Sequence, residues 1–443
     1  MSKKNFLNLI GFLLLLAVCA VPIGKIFSRP ADYRNYHMIR GFYEEPENTL
    51  DAVYIGSSNA YAFWNPLLAW ESHGITVYSY TSNDQAFSAA PYLIEEVRKT
   101  QPDALIIVNV NSLRDTRVSE SNMHYLLDNM PLSLNKLKLT KFLAGTAGYS
   151  FSDSMEFYFP ILRYHERWSE LTMDDFDFKL NGLKGSSAYP NYLVTSEDIS
   201  SLYHTASAST EPEEAVIDTL NTLLDYCDEN SVNILFVTVP RAERKEETPS
   251  NFLYLNDLIE SRGYPVLNLM DQLDEMGIDL KKDYYNDLHT NIHGSAKFTQ
   301  YLADYLVENF DFADKHGNEI YSRWDTALKK YGSFINPELL DIEHDVDCRI
   351  YDLAEPEELH AEAQESGIAL TWAPVENADG YCVYRKKGAA GWKRLADVTE
   401  TVYMDTQERD DSVWTYRVVP VRYDDSGEIY YGSFSYSGVS VNP

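Results

Sequence analysis

Short apolar runs alternate with amphipathic stretches between residues 52 and 309, and this alternation constrains the fold more than any other feature. Residues 104–110 form an almost wholly apolar run rich in β-branched side chains, as expected of a central parallel strand. Other short runs are 52–55, 77–80, 232–239 and 266–269, and helical spacing occurs in 91–99, 214–227 and 295–309. Strands that alternate with helices predict a three-layer α/β domain with a mostly parallel sheet.

Composition excludes several classes of protein. The chain is 44% hydrophobic and 13% aromatic, which is enough for a substantial core and excludes wholesale disorder. It carries 68 acidic against 37 basic residues, a net charge of −31. Such a surface repels phosphate backbones, so nucleic acid is excluded as a general partner. The four cysteines show no CxxC spacing, so there is no zinc or redox motif.

The N-terminus predicts the compartment. Lys3 and Lys4 precede an apolar stretch, residues 6–24. As a helix this stretch would span about 28 Å, close to the thickness of a bilayer's hydrocarbon core. The lysines favour a cytoplasmic N-terminus, so residues 1–27 are predicted to be a single transmembrane anchor of the cell membrane, with the bulk of the chain extracellular. A cleaved signal peptide is the alternative, although no A-x-A site follows.

The rest of the chain divides into three parts. Residues 28–315 are predicted to be the α/β domain, with an aromatic, irregular insertion at about 114–210 that covers the carboxyl edge of the sheet. Residues 316–355 are a connecting region. Residues 356–443 contain short strands with period-two alternation at 368–372, 380–385, 392–395 and 415–421, which indicates an all-β sandwich.

The sandwich region resembles a fibronectin type III domain. The residues that carry the resemblance are Leu370-Thr371-Trp372, Ala378-Asp379-Gly380-Tyr381, Val383-Tyr384-Arg385, Tyr403 with Asp405-Thr406, and Thr415-Tyr416-Arg417-Val418. The resemblance implies an immunoglobulin-like sandwich in which Trp372 and Tyr416 are structural.

Two motifs could carry chemistry. Gly56-Ser57-Ser58 follows the first apolar run, and a hydroxyl just past a strand's carboxyl end is exposed above the sheet. His289 lies two residues after Asp287 on a polar loop before the last helix of the domain. A general base needs an imidazole near the nucleophile and an acceptor for its other nitrogen. Taken separately, the first motif is also typical of a helix cap and the second of an exposed loop.

Together these motifs resemble the SGNH (GDSL-like) hydrolases, in particular their membrane-anchored branch related to the DltD and alginate acetyltransferase groups. The resemblance covers about residues 50–310 and implies a flavodoxin-like domain with Ser58 as nucleophile, His289 as base and Asp287 as its partner. It also implies an oxyanion hole formed by the Ser58 amide and the Asn111 side chain. The reaction implied is a serine esterase or O-acyltransferase acting on acyl esters of a cell-envelope or extracellular polysaccharide, with no cofactor.

The sequence departs from the family pattern at three points. The usual Asp-x-x-His spacing would place the carboxylate at position 286, which is Asn286. The oxyanion glycine expected after the second strand is missing, and Asn83 or Gln85 would replace it. Asn109 stands where a glycine is usual before the third-block Asn. These departures leave open a second reading, a catalytically degenerate surface protein that acts as a binding or adhesion scaffold.

Residues outside these motifs are candidates for substrate binding. His165 and Trp168 lie in the insertion, and Arg241 follows the strand that ends at Pro240. Such side chains can stack on a sugar or meet an anion, although packing and surface ion pairs are common roles for them. No metal is expected, because Gly294 and Asn291 argue against a continuous helix that would align His289 with His293.

Overall fold

The structure is a computed structural model. The residues it describes are 33–114, 116–176, 180, 182–189, 208–240, 247–279, 283–286, 288–335, 348–349, 353–364, 366–387, 393–407, 413–423, 429–432 and 438–441, with a few isolated positions before residue 29. Most of the predicted anchor at 1–27 therefore lies outside the described residues. Among those residues, no helix combines the length and the apolar character needed to cross a membrane.

The first domain alternates strands and helices in the predicted manner. Its strands are β1 Ala52–Gly56, β2 Val77–Thr81, β3 Leu105–Asn109, β4 Ile234–Thr238 and β5 Val266–Asn268. Its helices are α1 Tyr33–Phe42, α2 Ser58–Phe63, α3 Pro66–His73, α4 Ala90–Thr100, α5 Glu120–Leu127, α6 Leu134–Thr146, α7 Met155–Tyr158, α8 Ile161–Tyr164, α9 Glu214–Asn230, α10 Glu247–Ser261, α11 Leu273–Met276, α12 Ile292–Asn309 and α13 Ser322–Ile335. Short 3₁₀ turns occur at Phe87–Ala89, Val110–Arg114, His165–Ser169, Met173–Phe176, Leu269–Asp271 and Glu319–Tyr321.

The five strands form one parallel sheet in the order β2-β1-β3-β4-β5. In its register Ala52 lies opposite Val77 on one side and Leu105 on the other. The predicted mostly parallel α/β sheet is thus confirmed. In this strand order the connections reverse direction between β1 and β3, and ligands of open α/β sheets bind outside the carboxyl ends of the strands at such a point.

The sheet is covered on both faces. Val53, Ile55 and Val108 point to one apolar cluster, which α4, α9 and α10 complete. Tyr54 and Ile107 point to the other, which α2, α3 and α12 complete. The near-continuous apolar character of β1, β3 and β4 follows from this, because a strand between two helical layers exposes neither side.

Two regions are more regular than the sequence suggested. Residues 120–146, in the segment predicted to be irregular, form α5 and α6, and Met123 and Leu139 are buried in the core. Helix α13 lies in the predicted connecting region, yet Trp324 is 2% exposed and its ring lies 5.8 Å from that of Trp70 in α3. Asp325 also accepts a hydrogen bond from Trp70 Nε1 at 3.0 Å. The first domain therefore includes α13.

The regular secondary structure among the described residues of the C-terminal domain consists of strands alone. They are β6 Cys348–Arg349, β7 His360–Gln364, β8 Gly367–Thr371, β9 Gly380–Lys387, β10 Lys393–Val398, β11 Val402–Asp405, β12 Trp414–Tyr423, β13 Ile429–Tyr431 and β14 Val439–Val441. One sheet has the order β11-β8-β7, and the other has the order β10-β9-β12-β13-β6, with β14 also paired to β12. The predicted all-β sandwich is confirmed.

The two sheets of the sandwich are joined by apolar packing and one polar network. Trp372, predicted to be a core aromatic, packs edge-on against Tyr381. Asp405 of β11 is fully buried and accepts hydrogen bonds from Arg385 Nη1 at 2.8 Å and Tyr416 Oη at 2.7 Å. A buried carboxylate with two such donors is satisfied, so the network fixes how the sheets align.

A buried lysine in α6 gives a testable pH dependence. Lys136 is 5% exposed, and its Nζ donates to the Met130 carbonyl at 3.2 Å. Burial lowers the pKa of Lys136 to about 8. Because this pKa lies below the unfolded value, the folded chain binds fewer protons between about pH 8 and 10.5, and its stability rises with pH over that window.

We therefore expect Lys136→Met to raise the free energy of unfolding at pH 7 by up to roughly 3 kcal/mol. The advantage over the wild type should shrink between about pH 8 and 10.5, as the wild-type lysine becomes neutral in both states. Urea denaturation of both proteins across this pH range measures the difference. A difference that stays constant with pH would contradict the assignment.

Candidate functional site

The candidate nucleophile follows β1 by way of a close backbone approach at Gly56. A Cβ atom at position 56 would lie 2.9 Å from the Cβ atoms of both Ala60 and Asn109, so only glycine fits without movement. The chain then turns, and α2 begins at Ser58. Ser58 is half-buried at the carboxyl end of the sheet. The sequence motif therefore presents a hydroxyl where the strand order places a ligand site.

The structure brings Ser58 and His289 together across 231 positions of the chain. His289 Nε2 lies 2.6 Å from Ser58 Oγ, which is a short hydrogen bond. His289 is half-buried on the loop before α12. A hydroxyl in this contact with an imidazole is the arrangement that a general base needs to activate a serine.

The other ring nitrogen of His289 is held by Asn286. Asn286 Oδ1 lies 2.9 Å from His289 Nδ1 and also accepts the backbone N–H groups of Leu288 and His289, each at 2.9 Å. The two backbone donors identify this atom as the oxygen, so Nδ1 must carry the proton. Nε2 is then the acceptor for the Ser58 hydroxyl. Asn286 thus selects the tautomer that a serine nucleophile requires.

Asp287, the predicted partner of the histidine, lies outside the described residues. The role that the family resemblance implies for Asp287 therefore stays a prediction. The family's usual Asp-x-x-His spacing also points to position 286, where this chain has an asparagine. The amide oxygen of Asn286 can accept the same hydrogen bond as a carboxylate oxygen.

The histidine loop is fastened to α2 and to the start of α12. Asn59 Nδ2 donates to the Leu288 carbonyl at 2.7 Å, and Thr290 Oγ1 donates to the Ala62 carbonyl at 2.8 Å. Asn291 caps α12 by accepting the N–H groups of His293 and Gly294. These bonds fix the position of the His289 loop relative to Ser58.

A buried aspartate, Asp283, holds the start of the same loop. Asp283 is 1% exposed and accepts from Lys297 Nζ at 2.8 Å and from the Asp279 N–H at 2.7 Å. Burial raises the pKa of Asp283, while these two donors lower it. The Asp283 carbonyl also accepts the Asn291 N–H at 2.9 Å, so this residue anchors the base of the loop.

The end of β3 supplies the second wall of the site. Ser112 Oγ accepts the Ser57 N–H and donates to Ser57 Oγ, both at 3.1 Å. Asn111 is 1% exposed, and its side-chain amide makes two bonds of 2.8 Å with the backbone of Val239. One Asn111 N–H is therefore used structurally, and the residue lines the cavity beside Ser58.

Of the two residues considered for the missing oxyanion glycine, Gln85 reaches the cavity. Asn83 Oδ1 accepts from Tyr61 Oη at 2.6 Å, and Asn83 is not among the lining residues of the cavity. Gln85 does line it and is 5% exposed. With its amide nitrogen towards the strand, Gln85 donates to the Gly56 carbonyl at 3.1 Å and accepts the Ser82 N–H at 3.3 Å.

The cavity at Ser58 has a volume of about 1230 Å³. Its polar lining includes Asp84, Arg117, Asn122, Glu213 and Asn251, and its apolar lining includes Leu113, Val118, Val216, Phe252 and Leu255. Such a volume exceeds that of most small-molecule pockets. The site can therefore hold much more than a small acyl group.

Two of the predicted substrate-binding residues, His165 and Trp168, lie away from this cavity. His165 is exposed and its Nδ1 lies 2.9 Å from the Leu162 carbonyl, while Trp168 is 73% exposed. Neither residue lines the cavity. Arg241 lies outside the described residues.

Among the described residues, one group of side chains could hold a metal ion: Glu120, His124 and Glu156, whose ligand atoms lie within 4.8 Å of one another. Arg163 hydrogen-bonds Glu120 and lies 3.7 Å from the Glu156 carboxylate, so its guanidinium already supplies positive charge there. Glu120, His124 and Glu156 are not among the residues that line the Ser58 cavity.

The tight turn at Gly56 gives a direct structural test. Gly56→Ala should destabilise the protein by about 1–3 kcal/mol, because the new methyl group overlaps Ala60 and Asn109. Gly145→Ala in α6 is the matched control, since its methyl group would meet no atom within 4 Å. Thermal unfolding of both variants measures the difference, and equal melting temperatures would contradict the close approach.

Comparison with solved structures finds similarity to fibronectin type III domains. No protein-family model matches the chain, and no curated protein matches it. A solved Fn3-like protein from Clostridium thermocellum matches with 27% identity and a TM-score of 0.16, covering 19% of this chain and 88% of its own. The FN3 domain of human collagen XX matches with 16% identity and a TM-score of 0.18, and the match covers 22% of this chain and 99% of that domain. The two sheets, which are antiparallel apart from the β13–β6 pair, carry the assignment of a fibronectin type III-like β domain, and these low TM-scores carry none of it.

Proposed function

We propose that the chain is a serine esterase or O-acyltransferase of the SGNH kind, with Ser58 as nucleophile and His289 as general base. The observation that carries the proposal is the 2.6 Å contact between Ser58 Oγ and His289 Nε2, with Nδ1 held by Asn286. A hydroxyl, an imidazole and an orienting acceptor in this order are the parts needed for acyl transfer through a covalent intermediate.

In the proposed reaction Ser58 Oγ attacks the carbonyl carbon of an acyl ester, and His289 Nε2 takes the hydroxyl proton. The tetrahedral intermediate collapses to an acyl-serine as His289 returns the proton to the leaving alkoxide. Water or a sugar hydroxyl then attacks the acyl-serine, with His289 again as base, and Ser58 is regenerated. Water gives hydrolysis, and a sugar hydroxyl gives transfer.

The developing oxyanion needs donors near Ser58. The first amides of a helix have no intrahelical acceptor, so the Ser58 N–H is available for this role. The side chains of Asn111 and Gln85 line the same cavity, and we assign the remaining donation to them. Both are fixed by backbone bonds, which preorganises the donors before the charge develops.

The size and lining of the cavity support a large hydroxylated substrate. Amide, hydroxyl and charged side chains alternate with apolar ones around about 1230 Å³, which suits the polar rims and apolar faces of sugar rings. We propose an acylated cell-envelope or extracellular polysaccharide as substrate, with the chain held at the membrane by its N-terminal segment. The apolar stretch at residues 6–24 supports the proposed attachment to the membrane.

The nucleophile can be tested with the purified full-length protein and two substrates, 4-nitrophenyl acetate and acetylated xylan. Turnover should vanish in Ser58→Ala and in His289→Ala. Ser57→Ala is the matched comparison and should retain measurable turnover, because its hydroxyl contacts Ser112 rather than His289. A serine-directed fluorophosphonate probe should label the wild type but not Ser58→Ala. Equal turnover and labelling in all variants would exclude this site.

Asn286 can be tested by two substitutions with opposite expected effects. Asn286→Ala removes the acceptor of His289 Nδ1, and we expect kcat/KM to fall by roughly 10²-fold. Asn286→Asp keeps an acceptor and adds a negative charge that stabilises the imidazolium, so kcat/KM should rise. Steady-state kinetics with 4-nitrophenyl acetate measure both changes. An unchanged rate in Asn286→Ala would remove the residue from the mechanism.

A further inference from the structure

One face of the β-sandwich is apolar although it lies outside the sandwich core. Along β9, Tyr381 and Val383 point to the core between the sheets, whereas Cys382 and Tyr384 point away from it. Residues on the outer face of an antiparallel sheet are usually polar and solvated. Here the outward-pointing set is nonetheless buried: Cys382 0%, Tyr384 1%, Val419 3%, Val421 0% and Tyr431 3% exposed.

The first domain contributes to the cover of this outer face. Ile292 packs in the same apolar cluster as these five residues and is 1% exposed, and Ala188 is packed against the cluster. Ile292 is the first residue of α12 and follows His289 by three positions. The two domains therefore meet next to the loop that carries the proposed general base.

A continuous set of contacts joins this meeting point to the imidazole. The Ile292 N–H donates to the Tyr189 carbonyl at 2.9 Å. The Tyr189 ring stacks on that of Tyr285, with centroids 4.3 Å apart and an interplanar angle of 10°. Tyr285 in turn stacks on His289 at 5.6 Å and 25°. Ile292, which packs against the β-sandwich, thus donates the backbone bond at the start of this aromatic stack, and Ala188, which also packs there, directly precedes the acceptor Tyr189.

We propose that the outer face of the β-sandwich is a docking surface for the histidine loop, so that the C-terminal domain positions His289 instead of serving as a spacer. Ile292 is a positioning residue, because it contacts the sandwich and acts on His289 through the contacts of Tyr189 and Tyr285. The docking itself does not depend on the enzymatic function, but its effect on turnover rests on the function proposed above.

The test uses the full-length protein with Ile292→Asp. An aspartate at the first position of a helix is compatible with its N-terminus, so α12 should persist while the apolar contact is lost. Ile320→Asp is the matched control, because Ile320 is 61% exposed in the same domain. Hydrogen exchange should accelerate at the Tyr285 and Asn291 amides, which are bonded to His289 and Asp283, and should stay unchanged in the control.

The second readout is kinetic. Displacing a catalytic group by about 1 Å can cost about 10²-fold in rate, so we expect kcat of Ile292→Asp to fall by about 10- to 100-fold with little change in KM. Labelling of Ser58 by the fluorophosphonate probe should slow in parallel. Ile292→Ala, which introduces no charge, should show the same changes to a smaller degree and replaces the aspartate variant if that variant does not fold.

The outcomes separate this inference from the proposed function. If loop exchange in both Ile292 variants matches the Ile320→Asp control, the docking role is overturned. If loop exchange accelerates but kcat and labelling match the control, docking holds and the positioning role is overturned. If the wild type neither turns over substrate nor reacts at Ser58, the proposed function fails, and loop exchange alone still decides whether the sandwich supports the histidine loop.

Discussion

The Ser58–His289 contact joins two residues that are 231 positions apart in the chain, so the fold must bring the two ends of this long segment together. The parallel sheet sets the position of Ser58, because β1 is a central strand with helices on both faces. The position of His289 is set by bonds to the same element, from Asn59 to the Leu288 carbonyl and from Thr290 to the Ala62 carbonyl. Helix α2 thus contains Ser58 and also binds the loop that contains His289.

The sequence predicted the fold well where one physical signal dominated. Strands buried on two faces must be apolar throughout, and this signal located β1, β3 and β4 within a residue or two. The sequence pattern did not predict the helices at 120–146 or α13. Aromatic and charged residues in these segments obscure the helical spacing of the apolar residues that pack on the domain. The spacing of exposed and buried residues in those segments becomes interpretable only when the packing partner is known.

The candidate site was predictable in its residue types but less so in its roles. Ser58 and His289 followed from motifs at the ends of elements, and the structure places them in contact. The orienting group and the oxyanion donors depend on the exact path of a loop, which a linear pattern does not contain. Asn286 can accept the hydrogen bond of His289 Nδ1 because hydrogen bonding requires an acceptor at a point in space, not a particular residue type, and the role implied for Asp287 stays a prediction.

The separation of Ser58 from His289 also has a consequence for the chain while it is being made. Ser58 leaves the ribosome 231 residues before His289. At roughly 5–20 residues per second, the serine spends about ten to fifty seconds without a partner that can activate it. The acyl-transfer chemistry proposed for the site therefore cannot begin before His289 has been synthesised, whichever compartment the chain has reached.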